Sequence, residues 1–314
     1  MRYSGLLWVG LLVTTSVVGQ DKGHWIHFDW HAETIFGKYY PKVAMSIPLK
    51  IENLPYAFCG QLDLGATKTM IYENSFKHYA QKHPFVIQKL DTTGSPIYLN
   101  GRKSFFLKNL SIQLDKTGFL NRSIALMSQY GDEIPMDSIY TSTQKLIGTI
   151  APDLFQDKIL VIDFVNNRLK VFEKLPIAYQ KANFVPALIQ KGRIKIPIVI
   201  GDKTYYVMFD TGNCLGDLLL DKETILPFTN PNEPAQEFLN GKTWGQPLVY
   251  YNKNLTQKLY FSGKAMDIKK AQFSDQDSDV QFNKEEKIIG LIGPVLFQDK
   301  LVIIDYRNKR FGVL

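Results

Sequence analysis

Two short stretches of this 314-residue chain carry residue types able to do acid-base chemistry together: Leu62-Asp63-Leu64-Gly65-Ala66-Thr67 and Phe209-Asp210-Thr211-Gly212-Asn213-Cys214. In each, an apolar residue precedes an aspartate, and a glycine two positions later lets the backbone turn so that its amides face the carboxylate. One such tripeptide is ordinarily a strand-ending turn with a solvated carboxylate. Two of them are more useful. Amide hydrolysis needs a base to activate water and an acid to protonate the departing amine, and two carboxylates can divide those roles. Held close together they cannot both ionise, so they share a proton and titrate as a pair.

The elements that must position these loops repeat. Ile147-Gly148-Thr149-Ile150-Ala151-Pro152-Asp153-Leu154-Phe155-Gln156-Asp157-Lys158 is echoed by Ile289-Gly290-Leu291-Ile292-Gly293-Pro294-Val295-Leu296-Phe297-Gln298-Asp299-Lys300, at a constant offset of 142. The match continues through Ile162-Asp163 with Ile304-Asp305, Asn166 with Asn308 and Arg168 with Arg310. Upstream, Ile47-Pro48 answers Ile196-Pro197, and each is followed by a second strand-like run and then an Asp loop. Self-similarity on this scale marks a duplicated supersecondary unit. Short Val, Ile, Tyr, Phe and Leu runs broken by Asn100-Gly101, Gly201-Asp202 and Asn166-Asn167 predict a mainly β chain. Short helices are expected at Glu73–Gln81, Pro152–Gln156 and Pro294–Gln298, proline suiting a first helical turn.

The paired loops resemble the Asp-Thr-Gly loops of aspartic proteases of the pepsin and retropepsin type. Leu146-Ile147-Gly148 and Ile288-Ile289-Gly290 resemble the apolar segments that buttress those loops in the family. The resemblance runs from about Val43 to the C-terminus and implies two homologous β-barrel-like lobes with a cleft between them. It implies residues 20–178 and 179–314 as the lobes, with the boundary near Pro176–Gln190, and the Val-x-Gly end of residues 1–19 followed by Gln20 resembles bacterial envelope proteins, which points to a bacterial secreted member. Asp63 and Asp210 are then the catalytic pair, supported by Gly65, Ala66, Thr67, Thr211, Gly212 and Asn213. In the family the loop threonine hydrogen-bonds across the lobe interface; Thr211 keeps that capacity and Leu64 does not. Asn213 also replaces the small or hydroxyl residue usual after the glycine, whereas Ala66 matches the retroviral form of the loop. The implied flap hairpin falls on Asp91–Phe106, with Gly94, a turn at Asn100-Gly101, and Tyr98 directed at the cleft. A second-half counterpart at Trp244-Gly245 is either a flap or an ordinary surface hairpin.

The expected activity is endopeptidase cleavage of an extended polypeptide, without cofactor or metal, with an acid-side pH optimum and from a monomer, since one chain carries both loops. A protease-like protein of the cell envelope that binds peptides without turnover is the alternative, and Leu64 and Asn213 are its support. Residues 1–19 read as a secretory signal, a charged start followed by an apolar run at Leu6–Val18 that is short for a membrane span. Gln20 would open an exported chain, periplasmic or extracellular. The formal charge is +7, but Lys and Arg are interleaved with Asp and Glu, which argues against a nucleic-acid stripe. Cys59 and Cys214 are too few for a disulfide framework and read as buried free thiols, although pairing is open. His24, His27 and His31 read as part of an N-terminal segment packed between the halves, with metal binding the minor alternative. Asp157, Asp163, Asp299 and Asp305 read as turn residues rather than catalysts.

Overall fold

The computed structural model describes residues 24–35, 37–99, 101–243 and 246–314. The expected signal at 1–19, Asn100 of the expected Asn100-Gly101 turn and the Trp244-Gly245 pair lie outside the described residues. Among those described, no helix is long and apolar enough to cross a membrane.

The described residues are mainly β and form three sheets. One sheet is drawn wholly from the first repeat, one wholly from the second, and a six-stranded sheet takes strands from both. Alternation builds the first two. Along 45–51, Met45, Ile47, Leu49 and Ile51 are buried while the intervening residues are not, so one face of the strand enters the core. Ile194, Ile196, Ile198 and Ile200 do the same in the second repeat. Lys195 breaks that alternation: it is only 2% exposed on the face where its neighbours are partly open.

The two repeats thread their strands alike. Lys145–Ile150 runs parallel to Phe58–Leu62 and antiparallel to Met70–Tyr72. Gly290–Ile292 runs parallel to Lys203–Phe209 and antiparallel to Leu218–Leu220. Such a strand, threaded between two halves of a loop, needs a close approach that glycine permits. A β-carbon on Gly148 would sit 2.1 Å from the Met70 carbonyl oxygen, and one on Gly290 2.0 Å from that of Leu219. The glycines of the two repeated apolar segments are therefore fixed by sterics.

The shared sheet joins the halves along Ile159–Asp163 and Leu301–Asp305, which pair antiparallel with Val161 opposite Ile303. Ile303 is Val161's own counterpart at the 142-residue offset, so the pairing is centred on a local two-fold axis. The strand Ile159–Asp163 is buried throughout because Leu160 and Ile162 face one apolar cluster and Ile159 and Val161 another. Its following turn is locked by Asp163, which accepts from the Asn166 amide at 3.2 Å, Asn166 Nδ2 at 2.8 Å and Arg168 Nε at 2.9 Å. Asp305 accepts from Asn308 and Arg310 in the same pattern, at 3.0, 2.8 and 2.9 Å. These carboxylates close hairpins, as side-chain-to-backbone turn bonds do.

The stretch around Pro176–Gln190 is more than a connector, since Asn183–Pro186 pairs with Arg310–Val313 in the shared sheet. The N-terminal segment also contributes: Ile26–His27 pairs with Leu169 and Arg168 at the sheet's other edge. Asp29–Ile35 then forms a hairpin with Lys38–Ile51. Helices occupy Glu73–Lys82 and the 3-10 turns Pro152–Leu154 and Pro294–Phe297. A further helix, Asp277–Glu286, has too weak an apolar stripe to announce itself, with Glu286 its sole buried side chain.

Candidate active site

Asp63 and Asp210 each stand one residue beyond a strand and are held by the strand threaded alongside. The Asp63 amide donates to the Ile150 carbonyl at 3.0 Å, and the Asp210 amide to that of Ile292 at 2.9 Å. Each loop then closes on itself, Ala66 N to Asp63 O at 3.3 Å and Asn213 N to Asp210 O at 3.2 Å. Equivalent positions in the duplication thus receive equivalent backbone support.

The loops bring the two carboxyl groups together. The Gly65 amide donates to Asp63 Oδ1 at 3.0 Å and to Asp210 Oδ1 at 3.1 Å, so one N–H bridges residues from opposite halves. Ala66 N adds a bond to Asp63 Oδ1 at 2.9 Å, and Gly212 N one to Asp210 Oδ1 at 2.7 Å. A β-carbon at position 65 would lie 2.5 Å from the Asp210 carboxyl carbon, so only glycine admits this approach. Burial is the main cause that raises Asp63 above the ordinary carboxylate range, followed by the negative charge of Asp210. Burial raises Asp210 as well, but the Gly212 and Gly65 amides and the Arg193 charge oppose it. The pair therefore retains a proton where isolated aspartates would have lost theirs, with the more stabilised negative charge on Asp210.

Contacts across the two halves are one-sided. Thr211, fully buried, donates its hydroxyl to the Leu62 carbonyl at 2.9 Å and accepts from the Leu64 amide at 3.0 Å. Leu64 cannot reciprocate and instead packs, fully buried, in the main core. That burial is worth about 1.5–3 kcal/mol, against roughly 0.5–1.5 kcal/mol net for one hydrogen bond, so leucine at this position does not weaken the fold. A second tie comes from Arg193, whose Nε donates to the Gly65 carbonyl at 2.6 Å while Nη1 meets Glu286 Oε1 at 2.6 Å. Lys195 Nζ pairs with the other Glu286 oxygen at 2.9 Å. Burial works against the Glu286 charge, yet Lys195 and Arg193 together hold its carboxyl below the usual range.

A cavity of about 670 Å³ opens over the pair, and Tyr72, Tyr130, Tyr250 and Asn213 contribute to its lining. Tyr72 donates to or accepts from Thr149 at 2.5 Å and packs edge-on against Tyr130 at 4.8 Å. The hairpin expected at Asp91–Phe106 forms: Ile97, Tyr98 and Leu99 face Ser104, Lys103 and Arg102. Tyr98, however, is 69% exposed and lies outside the cavity lining, a correction to its expected inward direction. Asp91, paired with Phe106 at the base of this hairpin, accepts from the Gly94 amide at 2.9 Å, which makes Gly94 part of a tight turn. The N-terminal hairpin, not expected at the site, supplies Asp29, Trp30, His31 and Glu33 to the lining.

Thr67 lies in the bend after the first loop and Thr69 does the anchoring there. Thr69 N and Oγ1 both donate to Asp153 Oδ1, at 2.9 and 2.6 Å, and Thr69 Oγ1 accepts from the Ala151 amide at 3.1 Å. Burial raises the Asp153 carboxyl. Its repeat counterpart is Val295, and that polar-for-apolar difference was a sequence signal for a local role. Cys59 and Cys214 are both free and buried, and both border the cavity. Burial pushes Cys59 up to about 11, and burial followed by the charges of Asp210 and Asp63 raises Cys214. Both are neutral thiols at ordinary pH. Among the described residues, no cluster of three or more His, Cys, Asp or Glu side chains is arranged to hold a metal ion.

Searches against protein-family models and against curated proteins return no match to this chain.

Proposed function

We propose that the chain is an exported aspartic endopeptidase of the pepsin and retropepsin type, with lobes at about 20–178 and 179–314 and Asp63 and Asp210 as its catalytic pair. The observation that carries this reading is the Gly65 amide shared between one carboxylate from each repeat, at 3.0 and 3.1 Å. Solvated turn aspartates would have no reason to converge on a single N–H.

The chemistry follows from the asymmetry of the pair. Asp210, with its two amide donors and the nearby Arg193 charge, is the carboxylate that takes a proton from water as its oxygen attacks the peptide carbonyl carbon. Asp63 carries the shared proton and donates it to the carbonyl oxygen, giving a neutral tetrahedral diol. Collapse returns that hydroxyl proton to Asp63, delivers the proton held by Asp210 to the amide nitrogen, and breaks the C–N bond. Asn213 borders the cavity, and its Nδ2 is buried without a hydrogen-bond partner.

A non-hydrolytic peptide-binding role is the second reading, favoured by the burial of Leu64 in place of a cross-lobe hydroxyl. Digestion of a denatured protein pool between pH 3 and 8 separates the two. Cleavage by the wild type that vanishes in Asp63→Asn and in Asp210→Asn supports hydrolysis; cleavage that survives both substitutions rules out this pair as its source.

A further inference from the structure

The duplication allows the cavity to be compared with its own mirror position. Ser46 and Lys195 are counterparts: Ser46 pairs with Gln61 and Lys195 with Met208, each two residues before its Asp. By the same alignment Ala44 answers Arg193, and Gln144 answers Glu286 at the 142-residue offset. In the second repeat these three positions hold a packed ion group, with side-chain exposures of 16% for Arg193, 2% for Lys195 and 4% for Glu286. In the first repeat Ala44, Ser46 and Gln144 are shorter or uncharged, and all three line the cavity. Space is thus left on the Asp63 side where long charged side chains fill the Asp210 side.

The lining on the open side has a definite electrostatic character. Asp29 and Glu33 project into it from the N-terminal hairpin, alongside the catalytic pair, and among the described residues no lysine or arginine lines it. Lys42, the cation on the neighbouring strand, is engaged by the Trp30 ring at 5.3 Å and by Gln298 at 3.1 Å. His31 also borders the cavity. Tyr72 and Tyr130 present aromatic surface in the same space. Carboxylates combined with aromatic faces form a receptor for a cation on an apolar stem.

We infer that this cavity receives one lysine or arginine side chain of the polypeptide substrate, on one side of the scissile bond only. The inference rests on the peptidase reading and specifies its substrate. The filled mirror position leaves the other side of the bond without an equivalent deep acceptor, so preference is concentrated at a single subsite. Asp29 and Glu33 are both exposed.

The test compares wild type with the Asp29→Asn/Glu33→Gln double variant on a peptide library, reading residue frequencies around each cleaved bond. Lysine and arginine are expected to be enriched at one fixed position, with the enrichment falling roughly 3- to 10-fold in the double variant, the range for two partly screened ion pairs. The wild-type preference is expected to weaken in high salt. Apolar or acidic residues at that position, or basic enrichment that the double variant leaves unchanged, would overturn the inference. Titration calorimetry with short peptides differing only by lysine or norleucine provides a readout independent of turnover. Tighter binding of the lysine peptide without cleavage would sink the peptidase reading and keep the cation site; equal binding of both would sink the cation site alone.

Discussion

The two Asp loops stand on the same backbone scaffold yet do unequal work. The second loop reaches across: Thr211 holds both Leu62 and Leu64, and Arg193, from the same repeat, holds Gly65. The first loop receives these bonds and returns only the Gly65 amide to Asp210. Away from the loops the matched positions differ too, because Arg193, Lys195 and Glu286 pack together in the second repeat while Ala44, Ser46 and Gln144 line the cavity in the first. Duplication supplies a symmetric frame for two carboxylates. Divergence of side chains at matched positions then makes one half the clamp and leaves shorter side chains along the cavity in the other.

The comparison breaks most completely if the carboxylates are not the reacting groups. Asp63→Asn and Asp210→Asn are each expected to lower the cleavage rate by at least ~10³-fold, a loss in the range of general acid-base catalysis, measured as initial rates on an unfolded protein substrate. The two variants also probe linkage. Asp63 is pushed up to about 8, above its value near 4 in the unfolded chain. Between those limits the folded state binds more protons, so wild-type stability should decline as pH rises from about 4 to 8 and level off beyond. Thermal melting across that range should show a flatter decline for Asp63→Asn, with a higher Tm than wild type at pH 7. A steeper decline in the variant would contradict the shared-proton description.

The clamp is tested next. Arg193→Gln removes the tie to Gly65 and leaves Glu286 with Lys195 as its charged partner, a change expected to cost about 3 kcal/mol in denaturant unfolding. It also withdraws a positive charge that favours ionised Asp210, so the acid limb of the pH-rate profile should move upward; Arg193→Lys should restore part of that limb. A general destabilisation would leave the limb where it was. Thr211→Val should be somewhat milder, about 2–3 kcal/mol, since it strands the buried Leu64 amide and removes one donor to Leu62. Leu64→Thr, the reciprocal change that symmetrises the loops, should shift stability by the least, no more than about 2 kcal/mol, because lost burial is partly offset by a new bond. If Leu64→Thr proved more damaging than Thr211→Val, the one-sided clamp would be the wrong description of the interface.

Much of this arrangement could be read from local patterns. The 142-residue repeat, the paired Asp loops, the pairing of Ile97–Leu99 with Arg102–Ser104 and the helix following Tyr72 all follow from sequence signals: self-similarity, glycine placement, alternation and turn chemistry. Other features have no local signature. Nothing around Lys195 distinguishes it from an outward-facing lysine on an alternating strand, and its partner Glu286 lies at the end of a helix with little apolar stripe. Tyr98 looked suited to the cavity because it sits in a hairpin, but Tyr72 and Tyr130 reach it from a strand end and a distant loop.

By itself, then, the sequence determined the repeated strand order, the turns and the two acidic loops, because each depends on residues close together in the chain and on the steric limits of glycine and proline. The tertiary structure alone decided that one amide serves both carboxylates, that the second repeat clamps the first, and that the ion group fills only one of the two matched positions. Those outcomes depend on which side chains meet across more than a hundred residues, and on how burial changes the energy of a charge once it has a partner.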